Sequence, residues 1–165
     1  MIIGHDVEVF KNYFCVSYED YETGNKVMYE ISEERNDYDT FYQFYRNFNG
    51  QVVSFNGVFY DNLMICYLLK CYRDLKDRPW YQITMDLKHF SDLVINHDDS
   101  TLYKDIKYYP KFWEDIDLFL YWSKDTRLSK KISLKSLGIQ LGYPVVQELP
   151  FKIDKILTLD DLPIL

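Results

Sequence analysis

"HDVEVF", residues 5–10, follows the apolar opening of the chain and sets its first strand. Side chains alternate along a strand with a period of two, so Asp6 and Glu8 share one face while Val7 and Val9 share the other. One face is built to bury, and the opposite one is free to carry chemistry. A solvated strand face in a chain with 26 Asp and Glu among 165 residues gives the same alternation, so the spacing alone leaves both readings open.

Working outward, "MIIGHDVEVF", "NYFCVSYED" and "NKVMYEIS" are apolar or alternating runs separated by compact polar breaks such as "ETGN" at 22–25. This pattern predicts a three-stranded antiparallel meander. Phe41, Phe44, Tyr45 and Phe48 then repeat at i, i+3, i+4 and i+7, which predicts a helix opened by Asp37 or Asp39. "GQVVSFNG" reads as the next strand. It leads to a helix with Leu63, Met64, Tyr67, Leu68 and Cys71 on one stripe and Asp61 near its start, where unpaired N–H groups favour a carboxylate. The expected class is α/β, a mixed sheet with helices packed on it. Further on, a helix begins at Pro79, "INHDDSTLYKD" reads as a loop, and "DIDLFLYW" at 115–122 reads as a strand. "SLKSLGIQLG" reads as a helix with Ser133 as N-cap, Leu134, Leu137 and Leu141 on a stripe, and Gly142 as its stop. The remainder reads as extended and irregular, and no repeat or linker divides the chain, so residues 1–165 are expected to form one domain.

The chain is 47% hydrophobic, enough for a layered core. Its net charge of -7 argues against a protein that wraps duplex phosphates over a broad basic surface. A small nucleic-acid site whose charge is inverted by bound divalent metal remains compatible with it. Cys15, Cys66 and Cys71 include no C-x-x-C pair and read as buried small hydrophobes in a reducing compartment. His5, His89 and His97 have no zinc-ligand spacing. The chain has no signal-type N-terminus and no apolar run of transmembrane length, so the expectation is an intracellular protein without a membrane partner.

The acids Asp6, Glu8, Asp61 and either Asp115 or Asp117 come from distant segments, each beside an apolar strand. Hard divalent ions take oxygen ligands, and an ion pair needs several carboxylates, so acids gathered at one end of a sheet would suit Mg2+ or Mn2+. Plainer roles exist for each: Asp61 as a helix cap, Asp117 as a strand-end residue, Asn56 as the turn residue before Gly57, and Phe55, Phe59 and Tyr60 as core.

Taken in order, these motifs resemble the proofreading 3'-5' exonuclease domain of DNA polymerases, in the ribonuclease-H-like superfamily, closest to family-B viral or phage-type polymerases. The family's opening Asp-x-Glu is matched by Asp6 and Glu8 in "HDVEVF". Its second motif, an Asn followed by an aromatic residue and Asp, is matched by Asn56, Tyr60 and Asp61 in "SFNGVFYD". "DIDLFLYW" is similar to the family's central strand, and "KKISLKSLGIQLGYPVVQELP" to the segment before its third motif. The resemblance implies a ribonuclease-H-like mixed sheet and a two-metal 3'-5' exonuclease acting on the 3' end of single-stranded or frayed DNA. It assigns Asp6, Glu8 and Asp61 to catalysis and to two Mg2+ or Mn2+ ions, with Asp117 as a further ligand or a support for the ligands. Asn56, Phe55, Phe59 and Tyr60 would contact substrate.

The family's third motif, Tyr-x-x-x-Asp or His-x-x-x-x-Asp, has no match after Pro150, where the acids are Asp154, Asp160 and Asp161. The expectation is therefore a domain incomplete at its C-terminus, part of a longer DNA polymerase whose downstream polymerase domain would be a partner, located in the host cytoplasm if phage-encoded. The alternatives are a catalytically weak ribonuclease-H-like module that binds single-stranded DNA or a replication protein, and a relative acting on RNA. Oligomeric state is not legible.

Overall fold

The computed structural model describes residues 1–98, 100–123, 133–142, 155–158 and 161. Its sheet contains β1 (Ile2–Phe10), β2 (Tyr13–Asp20), β3 (Lys26–Ile31), β4 (Gln51–Ser54) and β5 (Glu114–Asp117). The helices are α1 (Tyr38–Asn47), α2 (Asp61–Lys70), α3 (Tyr72–Leu75), α4 (Trp80–Ile95), α5 (Thr101–Lys107), α6 (Leu118–Ser123) and α7 (Leu134–Gln140). A 3-10 turn at Gly57–Phe59 links β4 to α2.

The five strands lie in the order β3-β2-β1-β4-β5. The first three form the expected antiparallel meander, whereas β4 joins β1 in parallel and β5 joins β4 in parallel. The result is a mixed sheet with helices packed on it. Pairing with β4 covers only Ile2 to Gly4, although β2 accompanies β1 from Ile3 to Phe10. The half of β1 bearing Asp6 and Glu8 therefore runs past the end of β4, where the chain turns into α2.

Alternation along β1 divides the sheet as the sequence predicts. Ile3, Val7 and Val9 join Phe14, Val16 and Val52 in the main core, under residues of α1, α2 and α4 that include Phe41, Tyr45, Leu68, Leu87 and Phe90. Asp6 and Glu8 face the other side, where Phe10, Tyr13 and Cys15 form a small second cluster with Leu157. Asn12 holds Leu157 there by both ends of its amide: Nδ2 donates to the Leu157 carbonyl at 2.8 Å and Oδ1 accepts from its N–H at 2.9 Å. Cys15 and Cys66 are buried and Cys71 is half-buried, all as free thiols. No helix among the described residues is long and apolar enough to cross a membrane.

Several expectations need correction or refinement. The run 115–122 is not one strand, because β5 ends at Asp117 and α6 starts at Leu118. The Asp117 carboxylate accepts from the N–H groups of Phe119 at 2.9 Å and Leu120 at 3.4 Å, which caps the turn that ends the strand. The supposed loop at 95–105 contains most of α5, whose Ser100 side chain accepts from Tyr103 N. On α2 the expected stripe of Leu63, Met64, Tyr67 and Leu68 is buried, but so is every other residue from Asp61 to Leu69, which leaves the helix enclosed on all sides, and Cys71 falls just past its end. On α7 only Leu137 is buried, while Leu134 and Leu141 are each 60% exposed. Asp37 does sit at the N-cap of α1, yet its carboxylate makes no cap bond and instead accepts from Glu30 N at 3.0 Å and pairs with Arg35.

Candidate active site

The acids converge where the parallel strands end. On β1, Asp6 stands opposite Ser17 and Glu8 opposite Cys15, so both carboxylates rise from the face turned away from the main core. Asp61 arrives from β4 through the tight link 55–60 and occupies the first position of α2. Asp117 closes the neighbouring parallel strand β5.

Asn56 makes the tight link possible. It takes the left-handed conformation at φ 65°, which Asn tolerates better than most residues, and its carbonyl accepts from Phe59 N at 3.1 Å. Asp117 reaches across from β5 to secure the same turn, accepting from Asn56 N at 2.9 Å and Val58 N at 3.1 Å. Gly57 is required by contact: a Cβ there would lie 2.3 Å from Ser54 Oγ, 2.6 Å from Ser54 Cβ and 3.4 Å from Asp61 Oδ2. Ser54 and Asp61 thus crowd around the glycine.

Burial raises the proton affinity of all three acids, and neighbouring charge adds to it at two of them. Burial, followed by repulsion from Asp6, pushes the Glu8 carboxyl up to about 7. Asp61, only 7% exposed, is pushed up to about 8 by burial and then by Asp6, Glu8 and Asp117. A helix N-terminus ordinarily favours the ionised carboxylate by about 0.3–1 kcal/mol, so at Asp61 burial and like charge outweigh it. Asp6 keeps an open surface, yet the protein packed around it raises its carboxyl above the usual range as well.

The remaining candidates divide. Asp117 acts on Asp61 through its charge, but both its oxygens are engaged by backbone N–H groups, which makes it a structural clasp. Asp115 points elsewhere, into contacts with Asn62, Trp113 and Lys111. Asp161 is bonded to Lys155 Nζ and to Thr158, which draws its carboxyl down to about 2, and Asp154 and Asp160 lie outside the described residues.

Phe55 is half-buried, packs edge-to-face on Phe119 at 5.7 Å, and lines an open groove. The groove has a volume of about 430 Å³, and Asp6, Ser17, Tyr21, Leu118 and Leu134 also line it. Phe59 is 48% exposed, as a stacking surface requires. Tyr60 packs against the core and its hydroxyl bonds to Ser91 Oγ at 2.8 Å, so its polar end is committed to α4.

The donor type suits a hard divalent cation: three carboxylates offer oxygen ligands, and their proton affinity, raised by burial first and for Glu8 and Asp61 by neighbouring acids second, marks a cost of negative charge that a cation would relieve. Among the described residues, no three His, Cys, Asp or Glu side chains stand close enough together to hold an ion as they are. Sequence reasoning missed Ser54, His5 and Asn62, which are buried beside the acids. The available signal was position, since each adjoins or closely precedes a candidate acid or turn residue. Compared with family models, curated proteins and solved structures, the chain matches none.

Proposed function

We propose that this chain is the 3'-5' exonuclease region of a DNA polymerase, built on a ribonuclease-H-like sheet and acting on the 3' end of single-stranded or frayed DNA. The observation that carries this reading is the placement of Asp6 and Glu8 on the half of β1 that runs past β4, next to the turn that delivers Asp61 at the start of α2; burial first, and neighbouring acid charge second, raise Glu8 to about 7 and Asp61 to about 8 there. The antiparallel meander continued by two parallel strands supports the same reading.

Asp6, Glu8 and Asp61 would hold Mg2+ or Mn2+, and the ions when bound supply a water of lowered pKa and positive charge for the departing 3' oxygen. The chain's own residues set the geometry. Asp6 lies on the groove wall with Phe55, Leu118 and Leu134, so DNA lying along the groove would meet the Asp6 carboxylate. Phe55 and Phe59 offer ring faces to bases without reading sequence, which suits removal of any terminal nucleotide. Asn56 holds the turn that presents both rings, and Tyr60 anchors that turn to α4. The net charge of -7 is offset at the site by the cations themselves.

A second reading is favoured by the use of Asp117 and Asp161 elsewhere: a weakly active module that binds single-stranded DNA or a replication protein. The deciding experiment follows a 5'-labelled single-stranded oligonucleotide with Mg2+ or Mn2+. The exonuclease reading expects stepwise shortening from the 3' end, lost by at least about 100-fold in Asp6→Ala. DNA retained on the chain without shortening supports the binding module, and neither shortening nor retention overturns both. An RNA oligonucleotide of the same sequence separates a ribonuclease.

A further inference from the structure

A buried polar chain runs behind the acids on the core side of the sheet. His5 immediately precedes Asp6, Asn62 immediately follows Asp61, and they are 7% and 0% exposed. His5 Nδ1 meets the Tyr45 hydroxyl at 3.3 Å. Asn62 Nδ2 donates to Asp115 Oδ1 at 2.8 Å, and the Asp115 carboxylate is further held by Trp113 Nε1 at 2.7 Å and by Lys111. Between these anchored ends, His5 Nε2 and Asn62 Oδ1 are buried with no hydrogen-bond partner among the described residues.

These two atoms are complementary; the third buried polar atom without a partner, Ser54 Oγ, lies against Gly57. Because Asn62 gives its N–H2 to a carboxylate, the end it turns toward His5 is its oxygen, an acceptor. The buried ring in its neutral form has one N–H to place. If Nδ1 accepts from the Tyr45 hydroxyl, that proton is on Nε2 and needs an acceptor. The Asn62 side chain stands close enough to interact with the ring. A buried donor and a buried acceptor left apart each carry a desolvation cost, which closing the pair removes.

We propose that His5 and Asn62 are positioning residues whose Nε2–H···Oδ1 hydrogen bond ties β1 to the start of α2 and so fixes Asp6 against Asp61. The bond itself stands on the geometry of the buried chain, whereas its consequence for cation binding rests on the exonuclease reading. It would act as outer partners of metal ligands do, through the orientation of the acids beside them.

Nitrogen-15 NMR of the ring tests the bond in the wild-type chain. The expected result is the neutral Nε2–H tautomer at pH 7, with a proton protected from exchange. An Nδ1–H tautomer or a rapidly exchanging Nε2 proton overturns the proposal. Electron paramagnetic resonance of free Mn2+ tests the consequence. His5→Gln, whose side-chain amide can place an N–H near Nε2, is expected to hold Mn2+ within about threefold of wild type, whereas His5→Phe, which keeps the volume alone, loses about tenfold or more. Equal affinity in both variants, with circular dichroism verifying their folds, contradicts positioning. If the wild-type chain takes up no Mn2+, the exonuclease reading fails and the ring tautomer alone judges the bond.

Discussion

At the residue scale, the site is defined by the contrast between acids under pressure and acids already satisfied. Glu8 and Asp61 hold protons to about 7 and about 8, whereas Asp161, fed by a lysine and a threonine, releases its proton at about 2. For Glu8 and Asp61 the folded chain keeps protons that the unfolded chain has already lost. Their contribution to stability is therefore greatest near the ordinary carboxyl range and declines as pH rises to about 8. Thermal melts of the metal-free chain from pH 5 to pH 8 are expected to show this decline, and Asp61→Asn should flatten it. At pH 8 the substitution is expected to raise Tm by roughly 2–4 °C for each kcal/mol of repulsion removed. Asp117→Ala strips four backbone N–H groups of their acceptor and is expected to cost about 2–3 kcal/mol in a denaturant melt, with Asp117→Asn recovering part of the loss.

At the scale of elements, the sequence was most legible where burial is one-sided. The period-two pattern located the meander and assigned Asp6 and Glu8 to the same face, because one face of β1 packs on the core and the other does not. Periodicity had less to say about α2, which is enclosed on every side, or α5, which buries only Ile106. It erred over 118–122 because that apolar run suits a strand as well as a helix, and the boundary is set by where Asp117 sends its oxygens. The motif "SFNGVFYD" identified Asn56 and Asp61, but the demand at Gly57 comes from side chains folding back onto it. Gly57→Ala is expected to cost about 1–3 kcal/mol in a denaturant melt, since Ser54 must move for a methyl group to enter. The His5–Asn62 relation was not legible, because it depends on β1 and α2 meeting in space.

At the scale of the whole molecule, the sheet separates two jobs. One side buries the main core, and the other carries Asp6, Glu8, the groove and the small cluster around Leu157. Asn12 draws chain from 145 residues away onto that second side. Asn12→Ala is expected to speed hydrogen exchange at the Leu157 amide by about tenfold, for the loss of a bond worth about 1 kcal/mol or more, with little change in the exchange of β1. In the proposed function, Asp6, Glu8 and Asp61 act as a single cation-taking unit. Calorimetric titration of Mn2+ into the chain at pH 7, repeated in buffers of different ionisation enthalpy, tests this most directly by counting released protons. Binding accompanied by net proton release, with both strongly reduced in Asp61→Asn, is the predicted result. Binding without proton release that Asp61→Asn leaves unchanged, or no binding at all, would contradict it.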